Sequence, residues 1–241
     1  MITSTQTAKE HLILLPGLLN DAELWRDQLP SLSQEAWCHV GDITQRDTVN
    51  ELAEDILAQA PERFSLAAFS LGGFVAIEMA RLAPERIVRL ALLDTSIRAD
   101  TTERAAMRRK LEQTAAQAGR FHGFGEKLLD SYLAPSRLSD KQLVERIRAM
   151  TGRLGLDIFL RQSRLDRRDG EAVLRSLQCP IQIVCGEQDT LTPLSDHSEM
   201  ANMNLRAELS VIPASGHLTP MENPSEVTQA LLAWLRRQST S

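Results

Sequence analysis

Three residues of this 241-residue chain have the types and spacing for acyl-transfer chemistry: Ser70, Asp189 and His217. A serine hydroxyl is a weak nucleophile until a base takes its proton, and an imidazole serves as that base when a carboxylate fixes its tautomer. Ser70 stands in Ala68-Phe69-Ser70-Leu71-Gly72, between a strand-like run and a helix-like run. In that setting a G-x-S-x-G pattern makes a nucleophile elbow. The sharp turn exposes Oγ, and small residues two positions to either side let strand and helix approach. Alanine at 68 replaces the first glycine and is still small. Taken alone, Ser70 reads equally as a helix N-cap, a role serine often fills, so the partner loops have to decide.

Asp189 lies in Gly186-Glu187-Gln188-Asp189-Thr190-Leu191-Thr192-Pro193, and His217 lies in Ala214-Ser215-Gly216-His217-Leu218-Thr219-Pro220. Each loop follows an apolar run, which places both at the carboxyl edge of a parallel sheet, where open α/β sheets build their sites. Asp94, closing another run, would face the same edge and is the rival acid. Near the start, residues 12–20 read as a strand entering a tight loop at Pro16-Gly17-Leu18-Leu19-Asn20. The backbone N–H groups of Leu18 and Leu71 are the candidate oxyanion donors.

Competing chemistries find less support. Gly72-Gly73 has neither dinucleotide nor Walker spacing, and Cys38-His39 does not recur as a second ligand pair, so neither cofactor nor metal is expected. Of the other imidazoles, His11 and His39 read as core or edge residues, and His122 falls in the middle segment.

The elements that must position these residues follow from periodicity. Runs at 11–15, 38–40, 65–69 and 88–93 read as buried strands, separated by helices at 49–59 and 71–83; Thr48-Val49-Asn50-Glu51 has the form of a capping box and Pro84 a stop. Over 97–177 the strand signal gives way to helical segments broken at Gly119, Gly123, Pro135, Gly152, Gly155 and Gly170. Ser139-Asp140-Lys141-Gln142 is a helix start there. Alternation resumes at 181–185 and 208–212, followed by a helix from Asn223-Pro224 with Val227, Leu231, Trp234 and Leu235 as its apolar stripe. The pattern predicts an α/β fold, a mainly parallel central sheet flanked by helices. Its core spans 1–96 and 178–241, with a helical cap, 97–177, inserted.

Residues 98–175 carry 17 lysines and arginines against 11 acids, whereas the rest of the chain carries 10 against 21. Arg161, Arg164 and Arg168 share a helix face, as do Arg104 and Arg108. One reading is a solvated face partly neutralised by Asp157 and Asp166; the other is a basic cap that steers an anionic substrate or an acidic carrier protein. Phe121, Phe124, Tyr132, Met150 and Phe159 either line an acyl pocket or pack. Leu19, Phe121, Phe124 and Phe159 are the expected substrate-binding residues. The two later cysteines, Cys179 and Cys185, flank one strand about 20 Å apart, too far to bridge. With the polar start and an apolar run stopped at Pro16-Gly17, this reads as a cytoplasmic protein with no membrane or nucleic-acid partner.

The sequence of oxyanion loop, elbow, helical cap, acid loop and histidine loop resembles the α/β-hydrolase superfamily over nearly the whole chain. The stretch from Pro16 to Trp25 looks like that of the small capped carboxylesterases, a group that includes the pimeloyl-carrier-protein methyl esterases. Two features depart from the pattern: Pro16-Gly17 stands where members usually carry His-Gly, and little chain precedes that loop. The resemblance implies a serine hydrolase that cleaves a small carboxylic ester, lactone or thioester through an acyl-enzyme on Ser70, with anionic and carrier-linked substrates in range. Enol-lactonase, C–C bond hydrolase, lyase and perhydrolase activities use the same constellation. A non-catalytic binding protein on this fold is the remaining alternative.

Overall fold

The computed structural model describes residues 9–117 and 121–238. Six strands, β1 (Glu10–Leu15), β2 (Ala36–Val40), β3 (Phe64–Phe69), β4 (Ile87–Leu93), β5 (Ile181–Gly186) and β6 (Ala207–Ile212), form one parallel sheet in the order β2-β1-β3-β4-β5-β6. Every strand expected from the sequence is present. Central β3 is buried along its whole length, the pattern of a strand covered on both faces. Edge strand β2 begins two residues earlier than its apolar run, because Trp37 and His39 alternate outward and hide the period.

Parallel neighbours need crossovers, which are supplied by α1 (Leu29–Glu35), α2 (Val49–Gln59), α3 (Leu71–Leu82) and α8 (Leu194–Asn202), with four further helices, described below, between β4 and β5; α9 (Thr219–Glu222) and α10 (Pro224–Leu235) follow the last strand. The α2 cap forms as expected, with Thr48 Oγ1 accepting from Glu51 N–H at 3.1 Å. Helices α2 and α3 cover one face of the sheet. On the other, Trp25 and the α10 stripe of Val227, Leu231 and Trp234 form a second core. Each large side chain buried there contributes about 2–3 kcal/mol.

Between β4 and β5 lie α4 (Thr102–Gln117), α5 (Glu126–Tyr132), α6 (Lys141–Arg164) and α7 (Glu171–Ser176). Asp140 caps α6 by accepting from Leu143 N–H at 3.1 Å, and Gly155 breaks the helix at φ 81°. Gly119, another expected break, lies outside the described residues. Gly170 N–H donates to Ile97 O at 2.7 Å, tying the two ends of the segment together. Helix α7 packs against α3.

The charge asymmetry has a structural destination. Arg146 pairs with Glu23 and Asp27, each at 2.9 Å, Arg153 with Asp21 at 2.7 Å, Arg161 with Asp47 at 3.2 Å and Arg104 with Asp196 at 3.3 Å. These four arginines thus reach acids of the sheet-bearing part, and Arg161 turns to Asp47 rather than to Asp157; Arg168 meets Asp166 at 3.1 Å, as the solvated-face reading expects, and Arg164 meets Glu112 at 3.2 Å. Each exposed pair contributes at most about 1 kcal/mol; as a set they fix the seating of the helical segment. Among the described residues no helix is long and apolar enough to cross a membrane.

Candidate active site

Four non-glycine residues have positive φ among those described: Leu19 (52°), Ser70 (49°), Asp94 (45°) and Ala214 (51°). Each lies just past the carboxyl end of a strand, after β1, β3, β4 and β6 respectively. Such conformations cost about 1 kcal/mol each and survive only where surrounding structure enforces them. Strain is thus concentrated in the loops that carry the sequence-predicted residues.

Ser70 bends the chain between β3 and α3 at φ 49°, ψ −116°, and its side chain makes no capping bond, so the N-cap reading does not describe it. Its N–H donates to Leu93 O at 2.9 Å, and its carbonyl accepts from Gly73 N–H at 2.8 Å and Thr95 Oγ1 at 2.6 Å. Gly72 is required by close approach: a Cβ there would stand 2.4 Å from Pro16 O, because the loop after β1 lies against the elbow.

Ser70 Oγ lies 2.8 Å from His217 Nε2, and His217 Nδ1 lies 2.8 Å from Asp189 Oδ2. Asp189 Oδ1 accepts from the N–H groups of Leu191 (2.8 Å) and Thr192 (3.0 Å), and Oδ2 accepts from Thr192 Oγ1 at 2.6 Å. Burial by itself would raise the Asp189 pKa, but His217 and these donors outweigh it and hold the carboxylate below its usual range. Tyr132 meets the His217 ring edge-on at 5.1 Å between centroids and accepts from the His217 backbone N–H through its carbonyl at 2.7 Å. The alpha/beta hydrolase family profile matches residues 12–230.

The chain belongs to the alpha/beta hydrolase family. It is 29% identical to the dihydrolipoyllysine-residue acetyltransferase component of the acetoin cleaving system of Pseudomonas putida over 94% of its own length, and it spans 63% of that relative. It is 26% identical to the pimeloyl-[acyl-carrier protein] methyl ester esterase of Photobacterium profundum, covering 96% of this chain and 97% of that one. A thermophilic esterase from Thermogutta terrifontis, solved with malate bound, superposes with a TM-score of 0.84 at 27% identity, covering 97% and 92% of the two chains.

In this α/β-hydrolase the N–H groups of Leu18 and Leu71 have no protein acceptor among the described residues. The neighbouring Leu19 N–H donates to Gln162 Oε1 at 2.8 Å, and Gln162 Nε2 donates to Ile43 O at 3.2 Å. A side chain from α6 therefore braces the loop that carries Pro16-Gly17. Of the expected substrate-binding residues, Leu19, Phe124 and Phe159 are fully buried in the second core. Phe121, partly buried, stacks on Phe159 at 5.7 Å.

Glu222, which the sequence reading missed, holds the histidine loop. Its carboxylate accepts from Ala134 N–H (2.7 Å), Gly216 N–H (3.0 Å) and Leu218 N–H (3.0 Å), gripping both sides of His217. Burial raises its pKa against the pull of these three donors. Glu222→Ala would orphan three buried donors and should cost about 3 kcal/mol, at roughly 1 kcal/mol or more each. Urea denaturation checks this, and a loss under about 1 kcal/mol would contradict it. Similarly, His197 accepts from Thr95 N–H at 3.1 Å and contacts Pro193 O at 3.1 Å, and burial lowers its pKa, so it is a neutral strut beneath the elbow.

Asp94 is fully buried and joins the two partner loops, accepting from Gly186 N–H at 2.8 Å and from Thr219 Oγ1. Burial first, and then the negative charge of Asp189, hold its carboxyl well above the usual range. A raised folded pKa means that its stabilisation is complete below the unfolded value of about 3.9 and is lost as pH rises through the folded one. Wild type should therefore lose stability relative to Asp94→Asn from about pH 4 upward; parallel pH–stability curves would count against a protonated Asp94. Donor atoms of Asp94, Cys185 and Asp189 lie within 4.8 Å of one another. They do not suit a cation: Asp94 is committed to Gly186 and Thr219 and burial holds its carboxyl well above the usual range, burial pushes the Cys185 thiol up, and Asp189 is committed to His217 and Thr192.

Proposed function

We propose that this α/β-hydrolase cleaves a small carboxylic ester, or a related lactone or thioester, through an acyl-enzyme on Ser70. The observation that carries the reading is the unbroken chain from Ser70 Oγ to His217 to Asp189, with both links at 2.8 Å. His217 Nε2 takes the hydroxyl proton as Oγ attacks the carbonyl, while Asp189 holds Nδ1–H and stabilises the imidazolium. Negative charge on the tetrahedral oxygen is received by the N–H groups of Leu18 and Leu71, each worth about 3 kcal/mol in comparable sites. The same imidazole returns its proton to the leaving alcohol and then activates the water that releases the acid.

In this reading residues 97–177 act as a cap, enclosing the acyl group through Phe121 and its neighbours and bracing the oxyanion loop through Gln162. A protein that only bound its ligand would have no use for a strained serine aligned on a buried imidazole. The named esterases among its relatives favour ester substrates, and the malate bound by the Thermogutta enzyme favours an anionic one. Incubation with a fluorophosphonate should give one covalent adduct, located by peptide mass on the segment containing Ser70. A protein that stays unlabelled while folded would overturn the assignment.

A further inference from the structure

Helix α4 and the chain after α6 bring two guanidinium groups to one carboxylate, that of Arg108 half-buried and that of Arg167 almost wholly covered. Arg108 pairs with Asp100 and donates to the carbonyl of Ser163, yet its Nε is buried and has no partner among the described residues. Arg167 reaches the same carboxylate only at 4.0 Å, although its side chain is just 11% exposed. Among the described residues its hydrogen bond is one donation from Nη1 to Leu165 O at 3.1 Å, which leaves the rest of the fork uncommitted. A cation shielded from water is stabilised by a matched anion, and here two guanidinium groups share the one carboxylate of Asp100. Burial lowers the Arg167 pKa to about 10, so it remains charged at neutral pH.

The location ties this excess charge to the reaction. The Arg167 guanidinium lies over the Phe74 ring, 5.6 Å from its centroid. Phe74 sits in the first turn of α3, about 6 Å of helix rise beyond Ser70. Arg167 also acts on Tyr132, whose ring meets His217: burial raises the phenol to about 12 against the opposing pull of this cation. The guanidinium thus rests on the elbow helix, and its charge reaches the tyrosine that meets His217.

We propose that Arg167 is a substrate-binding residue that takes a carboxylate carried on the acyl chain, so that the preferred substrates are half-esters of short dicarboxylic acids. The planar fork pairs with a carboxylate bidentately, and the substrate supplies the anion that the cluster lacks. This rests on the hydrolase reading above and narrows its substrate class.

The test compares monomethyl esters of succinate through suberate with uncharged methyl esters of matched length, following methanol release. The best half-ester should exceed its neutral partner in kcat/KM. Arg167→Met should lower that ratio roughly 30-fold, chiefly through KM, as expected for the loss of a charged hydrogen-bond pair. Arg167→Lys should recover part of it. Arg109→Met, on the exposed face of the same α4, should change the ratio less than two-fold. A ratio indifferent to Arg167→Met overturns the proposal, and an equal fall in Arg109→Met assigns the preference to the general field of the segment instead. Calorimetry with monomethyl glutarate on Ser70→Ala protein needs no turnover: binding that Arg167→Met abolishes supports the site, and no binding refutes it. Failure of the hydrolase reading has a separate signature, namely no hydrolysis of any ester and no fluorophosphonate adduct.

Discussion

Ser70→Ala should lower kcat on a reactive ester such as p-nitrophenyl butyrate by at least about 10⁴-fold, while leaving the thermal midpoint within a few degrees of wild type. The magnitude follows from the unity of the constellation: with the nucleophile gone, His217 and Asp189 have nothing to activate, and only binding and the oxyanion donors remain. The stability expectation follows from the local structure. Ser70 Oγ has one partner, His217 Nε2, so its removal forfeits about 1 kcal/mol. The strained backbone at φ 49° is shared by Ala and Ser. Stopped-flow hydrolysis and a thermal melt on the same preparation separate the two effects. A variant retaining a tenth of wild-type turnover would remove Ser70 from the mechanism.

The elements that carry the site were legible because each chemistry-bearing loop follows an apolar run long enough for a strand. Parallel order places the ends of β3, β5 and β6 on one edge, so Ser70, Asp189 and His217 could be brought together without coordinates. What the sequence hid depends on partners far apart in the chain. Gln162 braces Leu19 from 143 residues away, and Glu222 reaches Ala134 from 88. Neither residue stands in a local pattern that marks it. Periodicity likewise cannot separate an aromatic that lines a pocket from one that packs. Phe124, Phe159 and Tyr132 are all buried in the second core, and Tyr132 also lies against His217.

The basic middle segment posed a choice between a solvated face and a steering field, and the coordinates divide its arginines differently. Arg104, Arg146, Arg153 and Arg161 meet acids of the sheet-bearing part and seat the segment on it, whereas Arg164 and Arg168 pair with acids of the segment itself. Arg108 and Arg167 share a single aspartate. Of these side chains that of Arg167, 11% exposed, is screened least by solvent, which is why the proposed carboxylate contact is placed on it.

Two acids face the catalytic edge, and their substitutions should separate by a factor of about a thousand. Asp189→Asn should reduce kcat by roughly 10³–10⁴-fold, because an amide nitrogen presented to Nδ1 favours the tautomer whose Nε2 already carries a proton and cannot accept one from Ser70. The amide is also mismatched to its surroundings. Asp189 receives Leu191 N–H, Thr192 N–H and Thr192 Oγ1 in addition to His217, and a single carbonyl oxygen cannot accept from both sides. Asp94→Asn changes far less. Burial and the charge of Asp189 favour the neutral form of Asp94, for which asparagine is an isostere, and the amide can accept from Gly186 N–H while donating to a rotated Thr219 hydroxyl; kcat should fall less than about five-fold. The kcat of both variants, measured from pH 5 to 9, decides the matter. If Asp94→Asn proves the damaging change and Asp189→Asn the mild one, the acid of this site is Asp94, and the 2.8 Å bond between His217 and Asp189 is not the one the reaction uses.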